Sequence, residues 1–151
     1  GVADALLGGS YSWSAVALTD CQVEPLVVEH FHRLRQTERT VAAWVEHTLA
    51  REVRKFSDWV SHLGLRDAEE RLAWTVTQLL LDFGWRQPDG SIRLAFPIQL
   101  RQLADAAMMC PDHAGRILAR CANDGAAILK RDGTLLVPAG SHFAHRVLRR
   151  R

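Results

Sequence analysis

Residues 99–137 carry the sequence QLRQLADAAMMCPDHAGRILARCANDGAAILKRDGTLLV. Apolar residues recur every three or four positions from about Gln99 to Ala107 and again from Pro111 to about Asn123, a spacing that predicts two helices. The segment Met108-Met109-Cys110 separates them, and Pro111 suits the first position of a helix, where its missing N–H costs nothing. These residues therefore predict a helix, a tight turn and a second helix.

A β-hairpin is predicted directly after the second helix. Gly125 lies where the C-terminus of a helix favours glycine. Two short β-prone runs between Ile128 and Val137 then flank the turn pair Asp132-Gly133. A hairpin in this position is a wing, so the whole stretch predicts a winged helix-turn-helix.

The second predicted helix has an apolar and a polar face. The residues expected to face the core recur at helical spacing and are Ala114, Ile117, Leu118 and Cys121. The opposite face carries Asp112, His113, Arg116, Ala119 and Arg120. Arginine can form a bidentate bond to guanine and aspartate can accept a hydrogen bond from cytosine, so we predict that the N-terminal turn of this helix enters the DNA major groove. Lys130 and Arg131 on the hairpin are expected to contact the phosphate backbone.

Charge is divided unevenly along the chain. Residues 1–66 hold seven Lys and Arg against eight Asp and Glu, a net charge of −1, whereas residues 67–151 hold twelve against nine, a net charge of +3. The basic residues of the second part include Arg116, Arg120, Lys130, Arg131, Arg146, Arg149, Arg150 and Arg151. The C-terminal half is therefore the predicted polyanion-binding part. The alternative is an ordinary mildly basic surface, which many proteins have.

Two short runs near the N-terminus predict a β-hairpin. Ser14–Leu18 and Gln22–Val28 are β-prone and alternate in polarity, and Thr19-Asp20 between them suits a turn.

One long helix is predicted from about Thr37 to Leu65. Its apolar seam advances in steps of three and four and consists of Val41, Val45, Leu49, Val53, Phe56, Val60 and Leu63. A helix of about 30 residues is far longer than the average of about 11–12, and its seam is close to a coiled-coil repeat. We therefore predict that the seam, with Trp44 and Trp59, is the interface of a homodimer. The alternative is that the helix packs along its own domain.

A further helix is predicted from about Asp67, with acidic residues in its first turn that complement the helix dipole, to a stop at Gly84. Its expected core-facing residues are Leu72, Val76, Leu79, Leu80 and Phe83. The segment Gln87-Pro88-Asp89-Gly90 predicts a turn. Ser91–Phe96 then alternates like an edge strand, which Pro97 ends.

Several classes of protein are excluded by what the sequence lacks. No apolar run approaches the roughly 18 residues of a membrane span, and the N-terminus has no signal-peptide pattern, which predicts a cytoplasmic protein with no membrane partner. Cys21, Cys110 and Cys121 are odd in number and far apart, so neither a disulfide nor a structural metal is expected. No phosphate-binding glycine loop and no grouping of nucleophile and base occur, so neither a cofactor nor an enzymatic activity is expected.

Two histidine pairs are candidate metal ligands. They are His30 with His32, and His142 with His145. Because no third ligand converges on either pair in the sequence, solvated surface histidines are the preferred interpretation.

The order and spacing of several segments resemble the Crp/Fnr family of bacterial transcription regulators. Residues 14–23 are similar to the last hairpin of the family's β-roll, and the helix up to Leu65 resembles its dimerisation helix. The similar segments of the C-terminal half are Arg71-Leu72-Ala73, Asp89-Gly90-Ser91-Ile92-Arg93-Leu94, Gln102-Leu103-Ala104 and residues 111–118. The resemblance implies an α+β, mainly α fold with a β-roll remnant over residues 1–30, a dimerisation helix over 31–66 and a winged helix-turn-helix over 67–151.

The resemblance also implies roles for individual residues. Base-reading positions fall on Pro111, Asp112 and Arg116, and His113 and Gln99 fall near phosphate. The full set of predicted DNA contacts is Gln99, Arg101, Pro111, Asp112, His113, Arg116, Arg120, Lys130 and Arg131. The implied partners are double-stranded DNA, a second copy of the chain and RNA polymerase.

The sequence departs from the family at several of these positions. Pro111 and Asp112 stand where many members carry arginine and glutamate, which bears on half-site preference. Met108 stands where the turn often has glycine, and Cys110 where a capping serine is expected. Cys110 is therefore a candidate redox switch, since oxidation beside a phosphate would repel DNA. The preferred alternative is a cysteine that replaces a serine cap weakly.

The sensor part of the family is represented by its last hairpin alone. Two strands would leave apolar edges exposed, which favours residues 1–28 as the stub of a longer regulator over a minimal regulator without a ligand. Trp13 stands where cyclic-nucleotide-binding members carry an arginine, so cyclic AMP sensing is not expected.

The predicted function is sequence-specific binding of a pseudo-palindromic operator by a homodimer. The alternative is a dimeric protein-interaction module with a degenerate winged helix that no longer reads bases.

Overall fold

The computed structural model describes residues 1–65, 67–141 and 143, with the backbone alone for residues 63 and 65. Its helices are α1 (Val2–Leu7), α2 (Val28–Thr37), α3 (Arg39–Leu65), α4 (Ala68–Phe83), α5 (Leu100–Ala106) and α6 (Pro111–Asn123). Its strands are β1 (Gly84–Arg86), β2 (Ile92–Leu94), β3 (Ile128–Leu129) and β4 (Leu135–Val137). The chain forms two units, Gly1–Val60 and a second that begins at Ser61.

The β-hairpin predicted over Ser14–Leu18 and Gln22–Val28 is wrong. Both runs are irregular and exposed, and Val28 begins α2. A two-stranded hairpin is marginally stable in water unless further strands or a helix cover it. Within the described residues of this unit no further strand is present, so alternation in the sequence does not suffice to form a ladder.

The long helix is confirmed as α3, which has 27 residues. Glu38 has an extended backbone (φ −111°, ψ 105°) and separates it from α2. Val45 and Thr48 on α3 and Phe31 on α2 are buried within the single chain. Farther along α3, by contrast, apolar side chains are exposed.

Helix α4 begins and ends where the sequence predicts. The Asp67 carboxylate accepts a hydrogen bond from the backbone N–H of Glu70 at 2.8 Å, which caps the helix. The helix ends where the Gly84 N–H donates to the Leu80 carbonyl. Of the predicted core residues, Leu72, Val76 and Leu80 are fully buried, Leu79 is partly buried, and Phe83 is 48% exposed. Phe83 meets Phe96 edge-on, with ring centroids 5.4 Å apart.

The second unit contains a small antiparallel sheet in the order β1-β2-β4-β3. Strand β2 lies inside this sheet, paired with β1 (Gly84 opposite Leu94) and with β4 (Ile92 opposite Val137), so the predicted edge position is wrong. The prediction took Pro97 as a sign of an edge strand. Pro97 lies beyond Leu94, the last paired residue of β2, and so removes no hydrogen bond from the sheet. The predicted hairpin is confirmed as β3 and β4, with Leu129 opposite Leu135.

One hydrophobic core joins this sheet to α4, α5 and α6. Its fully buried side chains include Leu72, Leu80, Leu94, Leu103, Ile117 and Leu135. The alternating burial of β2 and β4 follows from the two-residue period of a strand: Ile92 and Leu94 point inward and Arg93 points outward. Across the described residues, no helix is both long and apolar enough to cross a membrane.

Candidate nucleic-acid interface

Helix α6 presents one face to the core and one to solvent. Its first residue is Pro111, and Cys110 at the N-cap is extended, which satisfies the restriction that proline imposes on the preceding residue. The predicted inner face is confirmed, since Ala114, Ile117 and Leu118 are buried and Cys121 is half-buried. On the other face, Asp112, Arg116, Ala119 and Arg120 are exposed, whereas His113 is half-buried.

The turn between α5 and α6 is closed by two backbone hydrogen bonds. The Met109 N–H donates to the Ala104 carbonyl and the Met108 N–H to the Asp105 carbonyl, each at 3.1 Å. This pairing is a Schellman motif, which needs a left-handed residue after the helix. Met108 fills that position with a φ of 52°. The tight turn predicted at 108–110 is therefore present, and it forms without glycine.

Arg71 connects α4 to this turn. Its Nε donates to the carbonyl oxygen of Ala107 at 3.3 Å, in a partly buried position. Ala107 is the C-cap of α5, so the guanidinium lies at the negative end of that helix dipole. Sequence reasoning missed this role, because the two residues are 36 positions apart and no local pattern links them.

The N-terminus of α5 carries two of the predicted DNA contacts. Gln99 is the N-cap, and its backbone N–H donates to Oε1 of Gln102 at 2.8 Å. Gln99 and Arg101 are exposed. The spacing from an N-cap to a glutamine three residues later was a recognisable signal for this contact, and sequence reasoning did not use it.

The β3–β4 hairpin is fixed to the segment before α5. The Gly133 carbonyl accepts from the Ile98 N–H at 2.8 Å. Gly133 has a φ of 82°, and a Cβ there would lie 3.0 Å from Cβ of Pro97 and 3.1 Å from N of Ile98. Both conditions require glycine. Lys130 and Arg131 are exposed on this hairpin.

Asp132 stabilises the same turn. Its Oδ1 accepts from the Thr134 N–H at 2.9 Å. This hydrogen bonding to Thr134, with smaller contributions from the positive Lys130 and Arg93, lowers the pKa of the Asp132 carboxyl. The carboxylate is therefore charged at neutral pH and offsets part of the positive charge of the hairpin.

One predicted DNA contact already has a partner within the chain. Nη2 of Arg120 lies 2.7 Å from Oε2 of Glu69, and both side chains are largely exposed. In the part of the chain that the structure describes, Arg116 takes part in no ion pair or side-chain hydrogen bond.

The cysteines differ in exposure. Cys110 is exposed and its thiol makes no cap hydrogen bond, and Cys21 is exposed too. Burial raises the pKa of the half-buried Cys121 thiol, and the negative charges of Glu69 and Asp124 add to this rise.

The metal predictions involve two places. His30 and His32 lie on α2, and no group of three His, Cys, Asp or Glu side chains that could hold a metal ion occurs among the described residues. His142, His145 and the basic residues Arg146, Arg149, Arg150 and Arg151 lie outside the described residues.

Only some residues of the predicted dimer seam are exposed on the surface of the chain. Val53 is 69% exposed, Phe56 63% and Val60 48%. Val41 and Leu49 are half-buried. Val45 is buried within its own chain, which corrects its assignment to the interface, because helical periodicity does not say which neighbour covers a face. For Leu63 the structure describes the backbone alone. Half-buried Trp59, whose ring is 5.9 Å from Phe56, adds to the apolar surface. Trp44 is exposed too, but helical spacing places it on the other side of α3.

No family model and no curated protein matches this sequence. Solved structures do match the fold. FixK2 from Bradyrhizobium japonicum has a TM-score of 0.65 and 18% identity over 80% of this chain and 58% of its own. A mutant of CooA from Carboxydothermus hydrogenoformans has a TM-score of 0.65 and 19% identity over 73% of this chain and 50% of its own.

A third similar structure is that of a transcriptional regulator of the CRP family from Thermus thermophilus. Its TM-score is 0.56 and its identity 17%, over 75% of this chain and 56% of its own. The chain thus spans about half the length of these proteins. The α+β fold expected from the Crp/Fnr resemblance is confirmed at the level of fold, and the function stated for this third protein is regulation of transcription.

Proposed function

We propose that the chain is a sequence-specific DNA-binding transcription regulator of Crp/Fnr type that acts as a homodimer. In this proposal α5, the turn at Met108 and α6 form a helix-turn-helix, and the β3–β4 hairpin is its wing. The observation that carries the proposal is the division of α6, which buries Ala114 and Ile117 while Asp112 and Arg116 stay exposed on its N-terminal half. Recognition helices read base edges with that half of the helix.

Arg116 is the proposed main base contact. Its guanidinium is exposed and has no acidic partner among the described residues, so no internal bond must break before it binds a base. A bidentate pair of hydrogen bonds to O6 and N7 of guanine is the commonest specific arginine contact. Asp112 accepts a hydrogen bond from N4 of cytosine. Pro111, the first residue of the helix, makes a contact that depends on shape alone.

Phosphate contacts are proposed on both sides of α6. Gln99 and Arg101 lie at the N-terminal end of α5 and His113 in the first turn of α6, where backbone N–H groups favour anions. Lys130 and Arg131 extend from the hairpin, and the Gly133–Ile98 hydrogen bond ties that hairpin to α5. Because phosphate contacts set position without reading sequence, these residues define the register of α6 in the groove.

Dimerisation is proposed along α3. Val53, Phe56 and Val60 form an exposed apolar surface on its C-terminal half. Two copies joined there would place two α6 helices on one pseudo-palindrome, in successive major grooves about 34 Å apart.

The domain assignment is part of the proposal. By their place in the chain, residues 1–30 correspond to the end of a β-roll, although they form no strand here. Residues 31–66 correspond to the dimerisation helix and 67–151 to the DNA-binding domain. The same resemblance makes RNA polymerase a proposed partner. The cytoplasm, expected from the sequence, is kept as the proposed location.

Selection of bound duplexes from a random pool, with the full chain at near-physiological salt, tests the function. We expect enrichment of an inverted repeat with half-sites about one helical turn apart. Binding that only fades as salt rises, with no enriched sequence, would contradict base reading and favour the dimeric interaction module.

A further inference from the structure

The ion pair between Arg120 and Glu69 joins two helices that the DNA-binding proposal uses differently. Arg120 lies in the last turn of α6 and Glu69 in the first turn of α4, 51 residues earlier. Nη2 and Oε2 are 2.7 Å apart, a short charge-assisted hydrogen bond. The relative exposure of the two side chains is 64% and 59%, so water reaches both and a competing anion can reach Arg120.

Arg120 and Arg116 are four residues apart and share the exposed face of α6. Their electrostatic surroundings differ, because Glu69 faces Arg120 while Arg116 has no carboxylate partner in the described chain. The helix therefore presents one free guanidinium at the proposed base-reading position and one neutralised guanidinium a turn farther from its N-terminus.

If Arg120 had no partner within the chain, it would bind a phosphate of DNA whatever the base sequence. Each phosphate that a protein neutralises releases counterions. As a result, the slope of log affinity against log salt concentration becomes steeper by about 0.9 for each such phosphate. Such a contact strengthens binding to all sequences alike and so lowers the fraction of the binding energy that depends on sequence.

We propose that Glu69 is a specificity-determining residue, which holds Arg120 in an internal ion pair and so reduces sequence-independent binding to DNA. The inference rests on the proposed function. The negative charge of Glu69 acts in the same direction, since a carboxylate beside α6 repels phosphate. Because the pair is exposed, it is weak enough for its loss to leave the fold intact.

The test compares wild type with Glu69→Gln, which keeps the size of the side chain and removes its charge. The probe is a labelled duplex of mixed sequence, and binding of the full chain is followed by fluorescence anisotropy at salt concentrations from about 50 to 200 mM. We expect the variant to bind this duplex several-fold more tightly at the lowest salt. We also expect its plot of log affinity against log salt to be steeper by about one.

Two further variants separate the ion pair from a general change of charge. Glu70→Gln removes the same charge one residue away, and we expect it to shift affinity for the mixed duplex by less than twofold. Glu69→Gln is then repeated in an Arg120→Gln background, where most of its effect should disappear. Thermal unfolding of each variant checks that the fold is unchanged.

The same variants are measured on a duplex enriched by the selection described above. The ratio of affinities for the enriched and mixed duplexes should fall several-fold in Glu69→Gln. An unchanged ratio and slope would overturn the inference, and so would an equal effect in the Arg120→Gln background. If wild type binds DNA and discriminates between sequences in this outcome, the proposed function stands and only the role of Glu69 fails. If wild type binds no duplex, both fail.

Discussion

Nε of Arg71 on α4 donates a hydrogen bond over 3.3 Å to the carbonyl oxygen of Ala107, the residue that ends α5. This contact fixes the turn between α5 and α6 to α4, an earlier helix that is separated from α5 in the chain by strands β1 and β2. The geometry of the proposed helix-turn-helix thus depends on a side chain outside the motif.

Arg71→Ala should lower the free energy of unfolding by about 1.5–3 kcal/mol, because a partly buried carbonyl loses a charged donor. Chemical denaturation measures this loss. Arg86→Ala, which removes an exposed arginine of the same unit, should change it by less than about 0.5 kcal/mol. Equal losses in the two variants would show that the Arg71 hydrogen bond has no stabilising role.

Met108→Gly should stabilise the protein. A left-handed backbone costs a residue with a side chain roughly 1–2 kcal/mol, and the Met108 side chain is 60% exposed, so little burial is lost with it. The net gain after the added entropy of glycine in the unfolded chain is about 1 kcal/mol. Thermal unfolding detects it as a higher Tm. Met109→Gly serves as the matched control and should destabilise, since Met109 is half-buried and packs against the core.

Gly133→Ala should destabilise the hairpin by more than Gly125→Ala does. Both glycines have positive φ, 82° and 63°, so both substitutions carry the left-handed cost of roughly 1–2 kcal/mol. Only at Gly133 does the new Cβ approach Pro97 and Ile98, whereas at Gly125 it meets open space. Denaturant unfolding compares the two, and an equal loss would show that the hairpin does not need its close approach to residues 97 and 98.

Arg116→Ala should abolish preference for the selected duplex while the dimer persists. A bidentate arginine–guanine contact contributes about 1–3 kcal/mol of discrimination, so the affinity ratio of selected to mixed duplex should fall by roughly 5–150-fold. Anisotropy measures the ratio, and sedimentation measures the dimer. Arg93→Ala removes an exposed arginine from β2 and should leave the ratio near that of wild type. An unchanged ratio in Arg116→Ala would mean that α6 reads bases by other residues.

Phe56→Glu should weaken dimerisation strongly, because it places a charge in the centre of the exposed apolar surface of α3. Sedimentation over a range of concentrations should show a shift to monomer. Arg51→Glu lies on the opposite side of the same helix and should leave the dimer intact. A Phe56→Glu protein that stays fully dimeric would place the interface elsewhere.

Local chemistry made much of the second unit predictable. Asp67 and Gly84 delimit α4, Pro111 begins α6, and Asp132-Gly133 turns the hairpin, each through bonds within a few residues of itself. The faces of α6 were predictable for the same reason, since helical spacing separates Ile117 from Arg116 whatever lies around them.

The tertiary structure decided everything that depends on residues distant in the chain. Ser14–Leu18 has the alternation of a strand and forms none, whereas the similar pattern at Ile92–Leu94 forms a strand because β1 and β4 supply its hydrogen bonds on both sides. Val45 has the spacing of an interface residue and is buried within its own chain. The pairing of Arg120 with Glu69 and of Arg71 with Ala107 likewise has no local signal, because a charge selects whichever partner the packing of helices brings within reach. Sequence by itself determined the periodic and capped elements, since their bonds are local. Only the fold determined which strands pair, which apolar face is covered and which arginine on α6 is free to bind.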